Sequence, residues 1–347
     1  MPRRFPTFRR SARNRSVGRP SIRALTAVLT LGALLLPAVP SVSAASSCQY
    51  TFTGNASGTR DVTRSLTSFL ASHRGKHLCL KTNGIYRIDG TVRISDSYGL
   101  RLDGRNATLR AGASVSASVQ RQQLHLESVR NAIVKNLNIR GADPDYTRWK
   151  DSRQQEHGIG IYGGDNIRLS HISIRDTYGD GVYVGYDSGR IGPASRITLE
   201  RLDIARVGRN GVGIVGGHYL MVTDSVISFT GLHSVDLEPN TADAAIHHVT
   251  VQRSTMRAYG RAHADTGYAG YAVAVDGWAG EMADINILDN SADRFNAAFV
   301  DERGGINHDV VFRGNRSSYP GLVEFKNLRG LTFVGNIRIT ATKSNVN

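Results

Sequence analysis

Four short runs carry the same alternation along the chain: Gly158-Ile-Gly-Ile161, Gly181-Val-Tyr-Val184, Gly211-Val-Gly-Ile214 and Ser234-Val-Asp-Leu237. Longer β-type runs separate them, among them Asn166-Ile-Arg-Leu-Ser-His-Ile-Ser-Ile174 and Arg196-Ile-Thr-Leu-Glu-Arg-Leu-Asp-Ile204. Anchored on its first apolar residue, the short run recurs at Ile159, Val182, Val212, Val235, Val273, Ala298 and Val323, in steps of 23, 30, 23, 38, 25 and 25 residues. A repeat of that length, made of β-runs and almost no helix, predicts a solenoid whose turns stack.

In a strand, alternate residues point to opposite faces. The inward set is then Ile159/Ile161, Val182/Val184, Val212/Ile214, Val235/Leu237, Val273/Val275, Ala298/Val300 and Val323/Phe325, a continuous aliphatic stack. A single helical pattern stands apart. Val62, Leu66, Phe69 and Leu70 fall at helical spacing and predict a helix over residues 59–73, with Thr59 as cap and Asp61 in its first turn. Such a helix would cover the open end of the solenoid, where strand edge and core are otherwise exposed.

Composition bounds the rest. The chain has 347 residues, 40% hydrophobic, with 37 Gly and only 2 Cys, which excludes a disordered chain and a disulfide-built miniprotein. The net charge of +14 is concentrated in residues 1–44, which hold eight arginines and no acid. The remaining 35 basic and 29 acidic residues are interspersed, without the basic–aromatic stripe of a nucleic-acid platform. Residues 1–44 read as a signal peptide: a basic stretch to Arg23, an apolar run from Ala24 to Val39, and small residues Val42-Ser43-Ala44 for cleavage. The expectation is one domain, 45–347, secreted to the extracellular space and monomeric. No nucleic acid is expected as a partner, and no membrane once the signal is removed. Cys48 and Cys79, the only thiols, are then expected to pair.

The entry to the repeat resembles a known group. Thr59-Arg-Asp-Val-Thr-Arg-Ser-Leu, followed by Asn83-Gly-Ile-Tyr-Arg-Ile and Leu102-Asp-Gly-Arg-Asn-Ala-Thr-Leu109, is similar to the start of right-handed parallel β-helix proteins of the pectin-lyase-like superfamily. The resemblance covers roughly residues 48–340. It implies an all-β fold, a single-stranded right-handed parallel β-helix with an N-terminal capping helix, and an enzyme active on polysaccharides. The Asn-Thr-Asp, paired Asp-Asp and Gly-His-Gly elements of polygalacturonases are not intact here, nor is the Arg-rich catalytic strand of pectate lyases.

The same alternation points Asp236 and Glu238 outward on one face, with Glu324 aligned to Asp236. Asp276, Asp301 and Lys326 align with Glu238, so three acids would form a column closed by a cation. Hydrolysis of a glycosidic bond needs one protonated carboxyl and one carboxylate. Residues two apart on a strand lie roughly 6.6 Å apart, at the lower edge of the inverting range of about 6.5–9.5 Å. Asp236 and Glu238 are the expected acid–base pair, with Asp276 and Asp301 as further catalytic candidates. Such a hydrolase requires no cofactor and no metal. The alternatives are a solvated or Ca²⁺-bound acidic ladder, a calcium-assisted lyase with Arg303 or Lys326 as base, or a non-catalytic carbohydrate-binding surface protein.

A second outward column is expected to line the groove two residues before the anchors: His157, Asp180, Asn210 and His233. Turn residues satisfying backbone groups are the plainer reading of the same pattern. The insertions 141–156 and 257–271 supply aromatic residues, among them Trp149 and Tyr271, and Tyr183 joins them as a candidate for stacking on a sugar ring. Arg303, Glu324 and Lys326 complete the expected substrate contacts.

Overall fold

A computed structural model describes residues 47–112, 120–148, 150–186, 191–263, 270–277, 279–300 and 307–346. The expected signal peptide lies outside them. From Cys48 onward the chain forms one compact unit. It is a parallel β-helix: every paired strand in it runs parallel to the strand one turn away.

Each turn crosses three faces. One carries Ile167, Ile197, Leu220, Val249, Ile285, Val310 and Leu331 in direct register. A second carries Ile174, Ile204, Ile227, Met256 and Ala292. Long strands such as Asp165–Thr177 and Ala194–Val207 serve both faces by bending within the strand, at left-handed residues His171 (φ 54°) and Arg201 (φ 50°). The third face is made of the short runs. Leu124–Glu127, Ile159–Tyr162, Val182–Gly185, Val212–Ile214, Val235–Leu237, Val273–Asp276, Ala297–Val300 and the end of Arg316–Lys326 pair in that order.

The inward aliphatic stack is as expected in all turns but one. Val273 pairs with Ala297, so Ala297 and Phe299 face the core and Ala298 and Val300 face out. Ala297-Ala-Phe-Val300 is apolar on both faces, and alternation alone cannot choose between them. The aromatic core decides: the Phe299 ring stacks on Phe325 at 5.1 Å and meets Phe312 edge-on at 6.0 Å.

The helix is shorter than expected, Thr63–Ser72, burying Leu66 and Leu70. Ser57–Asp61 is instead a strand paired with Ile85–Ile88. Asp61 therefore precedes the helix, where Oδ1 accepts hydrogen bonds from the Thr63 N–H (3.0 Å) and hydroxyl. Cys48 and Cys79 form the expected disulfide, Cα–Cα 5.8 Å, joining the residues just before the first described strand, Tyr50–Thr51, to the strand His77–Cys79.

Two ladders of polar side chains hold the bends. On one, the backbone N–H of Ser225 donates to Ser254 Oγ (3.2 Å), that of Ser254 to Asn290 Oδ1 (3.0 Å), that of Asn290 to Asn315 Oδ1 (3.0 Å) and that of Asn315 to Asn336 Oδ1 (3.0 Å). Each step satisfies a buried backbone donor that the bend withdraws from the sheets.

Candidate functional site

The outer surface of the short-run face is laid out in two rows. The first reads His125, Gly160, Tyr183, Gly213, Asp236, Ala274, Ala298 and Glu324. The second contains Glu127, Tyr162, Gly185, Asp276, Val300 and Lys326. Glu238 joins this row, one residue beyond Leu237, which pairs with Val275. Its backbone N–H donates to Ile214 at 2.9 Å, so the strand pairing continues to it.

Asp236, Glu238 and Asp276 are thus brought together as expected. The longer acid column is corrected. The shift that turns Phe299 inward puts Val300, not Asp301, beside Asp276. Asp301 and Arg303 lie outside the described residues, as does Trp149. Glu324 and Lys326 keep their rows, but three turns of about 4.8 Å separate them from Asp236 and Glu238, roughly 14 Å.

Asp236 is the most perturbed carboxyl of the group. Its side chain is 8% exposed, and Oδ2 accepts a hydrogen bond from Asn210 Nδ2 at 2.8 Å. Burial raises its pKa well above the ordinary carboxylate range, and the charges of Glu238, Asp180 and Asp276 push the same way. Arg209 pulls against them. The result is a carboxyl poised to keep its proton beside a half-buried Glu238 that reaches solvent.

Arg209 was not expected here. It precedes Asn210 in an unremarkable bend, and its partners come from turns on either side: Nε lies 3.8 Å from Asp180 Oδ1. Burial works against its charge, but Asp180, Asp236 and Glu238 outweigh that and hold the guanidinium above its usual value. The site is therefore a half-buried cation flanked by carboxylates. No motif in the sequence marks it, because the grouping exists only across turns.

The second expected column takes the plainer role. The backbone N–H of Asp180 donates to His157 Nδ1 (3.0 Å), Asn210 to Asp180 Oδ1 (2.9 Å), His233 to Asn210 Oδ1 (3.1 Å) and Tyr271 to His233 Nδ1 (3.0 Å). His157 and Asp180 are 0% and 1% exposed, which corrects their expected role as sugar contacts. Burial, with Arg209 and His125, depresses His157 well below the usual imidazole range, so it stands neutral and accepts through Nδ1. His233 is likewise buried in this ladder, its ring stacked on Tyr271 at 5.4 Å.

Tyr183 and Tyr162 continue the rows toward the N-terminal turns. The Tyr183 ring stacks on His157 (4.5 Å, 6°) and leans toward Tyr162 (5.3 Å), whose ring stacks on His125 (4.6 Å, 16°). Glycines leave the room. A Cβ at Gly185 would fall 2.4 Å from the Tyr183 ring, and one at Gly160 2.7 Å from that of Tyr162. Other aromatic residues of the insertions pack them down: the Tyr259 hydroxyl accepts from the Asn296 N–H (3.0 Å), and Tyr146 meets Phe229 edge-on.

Among the described residues, a single group brings three His, Cys, Asp or Glu ligand atoms together: Cys48, His77 and Cys79, whose sulfurs are joined to each other. The acids of the groove form no such cluster.

No family model matches the sequence, and no curated protein matches it. Solved structures do match its fold. Alginate lyase from Paenibacillus sp. str. FPU-7 superposes with a TM-score of 0.52 at 14% identity, covering 86% of this chain and 99% of its own. Endo-xylogalacturonan hydrolase from Aspergillus tubingensis gives 0.53 at 10% identity, covering 86% and 96%. At these identities the likeness is one of architecture. The chain has the parallel β-helix fold found in polysaccharide-active enzymes of both the hydrolase and the lyase type.

Proposed function

We propose that the protein is a secreted glycoside hydrolase that cleaves a polysaccharide lying along the short-run face, with Asp236 as general acid and Glu238 as general base. The observation that carries the reading is the buried Asp236 carboxyl, whose surroundings raise its proton affinity, two residues from a solvent-reaching Glu238. Two acids whose surroundings push their proton affinities apart are what glycosidic hydrolysis uses: one donates to the leaving oxygen while the other activates water. The backbone repeat sets them roughly 6.6 Å apart along the chain, at the lower edge of the inverting range. Arg209 lies beside Asp180 and balances the charge of the group, and Asp276 adds negative charge that favours the Asp236 proton. The disulfide suits an oxidising compartment, in line with export.

A lyase is the second reading, supported by the fold likeness to an alginate lyase. It would take a basic residue to remove a proton from a uronate, with Ca²⁺ assisting. The test is a polysaccharide panel digested with and without EDTA, reading reducing ends and absorbance near 235 nm together. Reducing ends without absorbance, lost by about 10²–10⁴-fold in Asp236→Asn and Glu238→Gln, are expected. Absorbance abolished by EDTA would replace the hydrolase by the lyase. Binding without cleavage of any polymer would make the groove that of a carbohydrate-binding surface protein.

A further inference from the structure

The charge on the groove narrows what can lie in it, given that it is a polysaccharide site. We infer that the polymer is an uncharged one, free of uronate and sulfate groups, and that its sugar rings pack against Tyr183 and Tyr162 on the N-terminal side of Asp236. The floor from Glu127 to Asp276 carries acids and no cation of its own. The cations that approach it are already engaged. Arg209 is half-buried beside Asp180, with its charge offset by Asp180, Asp236 and Glu238, and Arg93 bonds Glu127 at 2.5 Å.

In the insertion before His157 each described cation sits beside an acid of its own. Arg148 pairs with Asp145 (3.3 Å), Lys150 with Asp143, and Arg153 with Glu156 (2.7 Å). A polymer bearing an anion on each sugar would face Glu238 and Asp276 at the reacting position. Recognition of carboxylate or sulfate uses free guanidinium or ammonium donors, and the described floor supplies none there.

What the face does supply is suited to neutral sugars. Tyr183 and Tyr162 are half-buried rings backed by His157 and His125, so they are held rigid before any ligand arrives. Rigid aromatic surface with a few polar groups is the usual make-up of a ligand site, and its pre-ordering lowers the cost of binding. Gly213 stands between Tyr183 and Asp236 in the same row and leaves the floor low between them. Two turns, about 9.6 Å, therefore separate the aromatic platform from the acid.

The test uses the Asp236→Asn protein, which binds without consuming its ligand, in affinity electrophoresis through gels containing neutral polymers (β-glucan, xylan, mannan, galactan, α-glucan) or anionic ones (polygalacturonate, alginate, carrageenan). Glu238→Gln serves as a second background should the first fail to fold. Retardation by at least one neutral polymer is expected, weakened tenfold or more by adding Tyr183→Ala and little by Tyr183→Phe, and insensitive to salt between 50 and 300 mM. Retardation by an anionic polymer alone, or by none of the neutral ones, overturns the inference. Because binding is read without turnover, neutral binding by a protein that never releases reducing ends would refute the hydrolase and leave this inference standing.

Discussion

Replacing Asp236 by asparagine should make the folded protein more stable at neutral pH while abolishing its activity. The substitution keeps the shape of the side chain, and the amide oxygen can still accept the 2.8 Å hydrogen bond from Asn210. What it removes is a carboxyl that burial, and then the neighbouring Glu238, raise well above its value in the unfolded chain, near 3.9. Between that unfolded value and the raised folded one, the native state binds more protons than the unfolded state. Stability therefore falls as pH rises through this window, and the contribution present at low pH is lost. The slope for one proton is about 1.4 kcal/mol per pH unit. Urea unfolding of both proteins from pH 4 to 8, compared at equal m, reads the effect directly. The stability of the variant minus that of the wild type should climb from about pH 4 with that slope and level off at the apparent pKa of the Asp236–Glu238 pair. A difference that stays flat across the range would show that Asp236 ionises as an ordinary carboxyl, and the general-acid assignment would fall with it.

Two further outcomes test the frame around the site. Arg209→Met should destabilise the protein by about 3–5 kcal/mol at pH 7, because it leaves the Asp180 and Glu238 carboxylates without their cation. The loss should shrink as the pH drops and those carboxyls protonate, which urea midpoints at pH 4 and 7 would show. Reducing Cys48–Cys79, which closes a separation of 31 residues, should cost about 3–4 kcal/mol in the chain-entropy account, read as a lower urea midpoint in dithiothreitol.

Much of this architecture is written locally. The short runs at Ile159, Val182, Val212, Val235, Val273 and Val323 give their register away because one face of each is apolar and the other is not. Where that contrast fails, at Ala297–Val300, the choice of face passes to Phe299, Phe312 and Phe325, and the acid column loses Asp301 to Val300. The helix start moved for a related reason. The helical spacing of Val62, Leu66 and Leu70 is real, but pairing with Ile85–Ile88 holds Ser57–Asp61 extended and delays the helix to Thr63.

Sequence alone was enough for the solenoid, the disulfide and the outward placement of Asp236, Glu238 and Asp276, since each follows from period, parity or the scarcity of a residue type. Only the stacked turns decided which polar groups are available. His157, Asp180, Asn210 and His233 share one sequence position with respect to their anchors, yet the bend buries them as acceptors for the backbone of the next turn. Arg209, in an ordinary bend, becomes the cation shared by three acids 27 to 29 residues away, Asp180, Asp236 and Glu238. The physical reason is the same in both cases. A strand's alternation is set by its own backbone, but desolvation and charge pairing depend on neighbours about 4.8 Å away along the solenoid axis that the chain reaches only after a full turn.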